Sequence, residues 1–131
     1  MSLKDKYQSA LDLAKELGAE MENFHEEDGA IVFNGAVETP YLRNLIWDKF
    51  KAINGLDKEA AAPADIKANI QVKDESVLHR HEVVSGESLS KISKKYYDDA
   101  NKYMAIFEAN RDILKDPDMI KVGQVLSIPN L

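Results

Sequence analysis

The three histidines carry the most versatile chemistry in this chain. His79 and His81 stand two apart, so a strand that starts early would turn both imidazoles to one side, where His25 could join them around a metal ion. No cysteine or clustered glutamate completes such a set, and the pattern predicts polar positions of a linker and a strand edge. Glu26-Glu27-Asp28 and Asp98-Asp99 could gather a cation, but short acidic runs of this kind predict solvated turn charges. Asp112, Asp116 and Asp118 share one loop, without the glycine and terminal glutamate of an EF-hand calcium site. Tyr96, Tyr97 and Tyr103 could stack on sugar rings. Helical phase predicts core positions for Tyr96 and Tyr103 and leaves Tyr97 open. The chain has no cysteine and no nucleophile beside a base. No carboxylate pair is singled out for acid–base work on a glycan. The chain therefore reads as a binding protein, with no enzymatic activity expected.

Size and charge narrow the partners. The chain has 131 residues, enough for one ordinary domain or two small ones, and a formal net charge of −6. Residues 1–80 carry 10 basic and 15 acidic side chains, and residues 81–131 carry 7 and 8. This acidic balance excludes a surface that tracks phosphates, so no nucleic-acid partner is expected. No apolar run approaches the roughly 18 residues of a membrane span, so no membrane insertion is expected. The first residues, MSLKDKYQSALDLAKEL, lack the continuous apolar run and small-residue cleavage site of a secretory signal. With the absence of cysteine, this gives an expectation of a cytoplasmic protein. A monomer is expected, with no sequence feature that fixes the oligomeric state.

Periodicity orders the first eighty residues as helix, hairpin, helix, strand. Leu3, Tyr7, Ala10, Leu11, Ala14 and Leu17 recur at helical spacing, and Gly18 ends the run. Met21 to Glu27 reads as a short strand of poor alternation, Asp28-Gly29 as a tight turn, and Ala30 to Val37 as the returning strand. Thr39 is expected to cap the next helix, with Pro40 at its first position and Asn54-Gly55 closing it. Asp57 to Pro63 reads as a loop. Ile66, Ala68, Ile70 and Val72 then alternate with polar residues as a half-buried strand. Asp74 to Arg80 reads as a linker.

Residues 81–131 read as strand, helix, helix, strand. The first strand is expected at His81 to Val84, with Gly86 in the turn and Ser88 capping a helix that carries Leu89, Ile92 and Tyr96. Asp98-Asp99 breaks it. A second helix is expected from Asn101 to Ala109, with Tyr103, Ile106 and Phe107 as its stripe. Gly123-Gln124 turns into the strand Val125 to Ile128, which Pro129 ends.

That order resembles the LysM domain. The residues that carry the resemblance are Val83, Gly86, Glu87, Ser88, Leu89, Ile92, Tyr96, Asn101, Ile106, Ala109-Asn110, Ile120, Gly123-Gln124, Leu126 and Ile128-Pro129. The resemblance implies a βααβ fold and non-catalytic binding of glycans containing N-acetylglucosamine, such as peptidoglycan or chitin. It places the sugar between two loops, at Ser85, Gly86, Glu87, Ser88 and Leu89 on one side and Asn110, Arg111, Asp112, Ile113, Leu114 and Ile120 on the other. Glu87 stands where aspartate is commoner in the family, and Lys115-Asp116-Pro117-Asp118 is a charged insertion in the second loop.

The first half is similar to the BON domain, through Gly29-x-Ile31-x-Phe33-x-Gly35-x-Val37-x-Thr39, Asn54-Gly55-Leu56 and Asn69-Ile70-x-Val72. The combination resembles the bacterial BON–LysM type of potassium-binding protein. That likeness implies an ion held largely by backbone carbonyls, for which Ile53, Gly55 and Leu56 are the positions carried over. A large monovalent cation suits several neutral carbonyl oxygens in a preformed cage. The expectation is thus an α+β chain of two small domains: a BON-like α-β-β-α-β domain over 1–73, a linker over 74–80 and a LysM βααβ domain over 81–131. Glycan recognition is the leading function, potassium binding is the alternative, and no other cofactor is expected.

Overall fold

A computed structural model describes residues 2–131. The chain divides into two compact units, Met1–Asp74 and Glu75–Leu131, and both mix helices with strands, as an α+β chain should.

The first unit runs α1 (Leu3–Glu16), β1 (Glu20–Glu27), β2 (Ala30–Val37), α2 (Pro40–Ile53) and β3 (Ile66–Val72). Ser2 caps α1 by accepting the Asp5 amide at 3.2 Å. The Glu26 carboxylate accepts the Leu3 amide at 2.6 Å, so one of the acidic turn residues neutralises a free helix donor. Asp28 and Gly29 both have positive φ, which joins β1 and β2 in the tight turn expected. The sheet order is β1-β2-β3, antiparallel then parallel. Strand β2 is central, and Ile31, Phe33 and Val37 alternate onto the helix side. There they meet Tyr7, Ala10, Leu11 and Ala14 of α1 and Ile46 and Phe50 of α2. Phe33 and Phe50 pack edge to face with ring centroids 4.9 Å apart, and Trp47 packs on Phe50 at 5.2 Å. The other face of β3 presents Lys67, Asn69 and Gln71 to water. The register of β1 shifts between Met21 and Asn23, and the bulged strand passes close to Gly35. A Cβ at Gly35 would lie 2.8 Å from the Glu20 carbonyl oxygen.

One expectation fails at the start of α2. Thr39 is the N-cap residue and is extended, but its side chain makes no capping hydrogen bond. Pro40 needs no amide partner there, which lowers the demand on the cap.

The second unit runs β4 (His79–Glu82), α3 (Leu89–Tyr97), α4 (Tyr103–Ala109) and β5 (Val125–Ile128), with a short 3₁₀ turn at Ala100–Lys102 leading into α4. Strands β4 and β5 pair antiparallel, with His81 opposite Leu126. The helices cover them through Leu89, Ile92, Ile106 and Phe107, which are buried with Val83, Leu114, Leu126 and Ile128. Ser88 caps α3 as expected, accepting the Lys91 amide at 3.3 Å.

The first strand of this unit lies two residues earlier than expected. It starts at His79, so His79 and Arg80 belong to the sheet and not to a linker. Leu78 already donates to the Ile128 carbonyl at 2.8 Å. Val83 follows the ladder, yet its amide bonds to Gln124 (2.8 Å) and its carbonyl accepts from Gly123 (2.9 Å). Burial of His81 and Val83, two apart on one face, fixes this register, and His81 replaces the aliphatic residue that the pattern would favour.

Candidate functional site

A depression of about 280 Å³ lies where the two predicted loops of the second unit meet. Ser88, Leu89 and Ser90 form one lip at the start of α3, and Pro117 and Asp118 form the other, with Tyr103 between them. Leu89 is buried, an apolar floor anchored in the core. The Ser88 and Ser90 hydroxyls lie 3.1 Å apart. Tyr103 is 36% exposed, so the core position expected from its helical phase is not the one it takes. It is the first residue of α4, whose buried residues are Ile106 and Phe107. Hydroxyls, a carboxylate and an open aromatic ring in a shallow groove can hydrogen-bond and stack on a polyhydroxylated ring.

The other predicted glycan residues are distributed more widely. Ser85 and Gly86 are exposed in the turn before α3, and the Gly86 carbonyl accepts the Lys91 ammonium at 3.1 Å. Asp112 is exposed, and Ile120 is half-buried. Arg111 pairs with Glu108 at 3.0 Å and lies over the Phe107 ring. Leu114 is core. Ile113 lines a separate depression of about 300 Å³ with Lys115, Met119, Lys121 and Gln124. Asn110 is 3% exposed, and its carboxamide is fully engaged. It donates to the carbonyls of Ile106 (2.7 Å) and Ser127 (2.9 Å) and accepts the Ser127 amide at 2.8 Å. It thereby closes α4 onto β5 and holds the root of the second loop.

Behind the first lip lies a buried polar array. His81 is 7% exposed, with Nε2 at 2.7 Å from Glu87 Oε1 and Nδ1 at 2.7 Å from the Tyr96 hydroxyl. Glu87 Oε1 also accepts the Val84 amide at 2.8 Å. Burial opposes charge on Glu87, but the Val84 amide and His81 outweigh it and hold the carboxyl below its usual range. His79 packs on the same Tyr96 ring; burial, His81 and Lys95 lower its pKa. The half-buried Tyr97 donates its hydroxyl to the Pro129 carbonyl, and burial raises its pKa to about 12. The two histidines do share one side, but among the described residues no group of three His, Cys, Asp or Glu side chains is arranged to hold a metal ion. His25 lies in the first unit, beside Glu27.

In the first unit, Ile53, Gly55 and Leu56 form the turn that ends α2. The Gly55 amide bonds to the Ala52 carbonyl at 3.0 Å and the Leu56 amide to that of Lys51 at 2.9 Å, a Schellman motif with Gly55 at φ +70°. These bonds use carbonyls of Lys51 and Ala52, leaving those of Ile53, Gly55 and Leu56 outside the cap. Asn54 anchors the turn by donating to the Tyr7 hydroxyl at 2.9 Å. Tyr7 in turn donates to Asp65, which also pairs with Lys6, each at 2.5 Å. Burial and the Asp65 hydrogen bond raise the Tyr7 pKa to about 12. Leu56 also lines an apolar groove of about 570 Å³ with Leu13, Leu45 and Ala52, rimmed by Asp48, Lys49, Asp57, Lys58 and Glu59. No sequence signal pointed to this groove, because its residues come from two helices and a loop.

Residues 81–129 match the LysM domain family. The chain is 60% identical over 47 residues to the potassium binding protein Kbp of Escherichia coli, a stretch covering 36% of this chain and 32% of that protein. It is 42% identical over 54 residues to an esterase of Mycobacterium tuberculosis, covering 41% of this chain and 11% of the esterase. A Deinococcus radiodurans protein is 29% identical over 109 residues, covering 79% of this chain and 42% of that protein. The chain thus spans less than half the length of each of these relatives.

Proposed function

We propose that this chain is a non-catalytic binding protein whose second unit recognises a glycan containing N-acetylglucosamine. The observation that carries this reading is the groove between Ser88-Leu89-Ser90 and Pro117-Asp118, with an exposed tyrosine in its lining. The serine hydroxyls and the Asp118 carboxylate suit sugar hydroxyls and the acetamido N–H, while Tyr103 suits the apolar face of the ring. The LysM match supports the same ligand class. The esterase match covers too little of that enzyme to carry its activity here. Calorimetric titration with chitin oligosaccharides tests the reading. Wild-type protein should bind, and Tyr103→Ala should weaken binding by about tenfold, the loss of one stacking contact. Equal affinity of the variant would remove Tyr103 from the site.

The 60% identity to a protein named for potassium binding favours a second reading. In it, the carbonyls of Ile53, Gly55 and Leu56 supply neutral oxygens to a monovalent cation at the end of α2. The Asn54–Tyr7–Asp65 network would hold that turn in shape.

A further inference from the structure

We propose that His81 is a positioning residue for the groove, holding the Glu87 carboxylate where it ties down the Val84 amide and so fixes the turn Val84–Ser88 that leads into the serine lip. The link to the groove rests on the glycan reading above. The geometry of the clamp does not. Three segments converge on one buried imidazole: β4 supplies His81, the turn supplies Glu87, and α3 supplies Tyr96. Glu87 Oε1 receives both the ring and the Val84 amide, so one oxygen couples the strand to the turn. Next along the chain, Ser88 caps α3 and lines the groove.

The proton positions follow from the donor inventory. An ionised carboxylate only accepts, so Nε2 carries a proton toward Glu87. Nδ1 then accepts the Tyr96 hydroxyl when the ring is neutral and donates to the same oxygen when the ring is charged. The hydroxyl rotates to suit, so both ring states keep both bonds. The titratable neighbours are His79 on β4, Tyr96 and Lys95 on α3, and Glu87 itself. The turn should therefore stay fixed whichever state the ring takes, as long as position 87 offers an oxygen acceptor.

Amide hydrogen exchange on the full chain tests this without any ligand. In Glu87→Ala and in His81→Phe, exchange at Val84 should quicken about tenfold or more, while the β5 amides keep their protection. Glu87→Gln keeps an oxygen acceptor in place and should stay close to wild type. Unchanged exchange at Val84 in both disruptive variants would overturn the proposal. So would equal acceleration throughout β5, which marks a fold-wide role, or a glutamine variant as loose as the alanine one. Affinity for chitin oligosaccharide, measured on the same proteins, should fall with the loss of Val84 protection. If wild-type protein ignores the sugar but the exchange pattern holds, the glycan reading falls and the clamp stands. If the sugar binds and Val84 is indifferent to both changes, the clamp falls and the glycan reading stands.

Discussion

Asn110 uses every polar atom of its side chain inside the fold, on the Ile106 carbonyl and on both backbone groups of Ser127. Asn110→Ala would strand the half-buried Ser127 backbone groups and should cost on the order of 2 kcal/mol, read as a lower urea midpoint at an unchanged slope. Glu87 gives a pH signature. Its folded pKa lies below the ordinary 4.5, so its contribution to stability is fully present above that value. The contribution is lost as pH falls through the lower folded value. Acid should lower the melting temperature of wild-type protein more steeply than that of Glu87→Gln, and parallel slopes would contradict the assignment. Residue types alone made Asn110 and Glu87 legible as members of a LysM pattern. They did not show that Asn110 faces inward or that Glu87 meets a histidine, because those contacts join positions 17 and 6 residues apart across elements. Tyr103 was misplaced for a related reason: helical phase locates a face, but a residue at a helix end has neighbours on only one side along the axis.

At the scale of elements, punctuation was the most legible part. Asp28-Gly29, Pro40, Asn54-Gly55 and Ser88 each sit where their local chemistry predicts. The start of β4 was not legible, since His79 and Arg80 carry no strand signal and pair with Ile128 and Ser127 only because the far end of the chain returns to them. The bulge in β1 was equally silent, although Gly35 marks it from the neighbouring strand. Gly35→Val would press a branched side chain on the Glu20 carbonyl, an obstacle of backbone that cannot swing aside. A loss of about 1–3 kcal/mol is expected in chemical denaturation, and a neutral substitution would show that the bulge can relax.

Over the whole molecule, two compact units with separate cores argue for separate folding. A fragment of residues 75–131 retains all of β4 and should melt cooperatively by circular dichroism, whereas one that starts at residue 81 loses half the strand and should melt lower. The potassium reading belongs to this scale too. Binding to the folded state raises the melting temperature by mass action. Potassium should therefore raise it more than sodium at equal ionic strength, since the net charge of −6 is screened alike by both. Gly55→Val, strained at φ +70°, should remove the difference. Equal responses to the two ions in wild-type protein would leave only screening.

The groove of the second unit carries the proposed glycan site, and one titration bears on it most directly: adding N-acetylglucosamine oligomers to the isotope-labelled chain of 131 residues and following the backbone amides. Concentration-dependent shifts are expected at Ser88, Leu89, Ser90, Tyr103 and Asp118, with the depression around Ile113 and Met119 and the whole first unit unmoved. An absence of shifts at about millimolar ligand, or shifts confined to Ile113 and Met119, would contradict it.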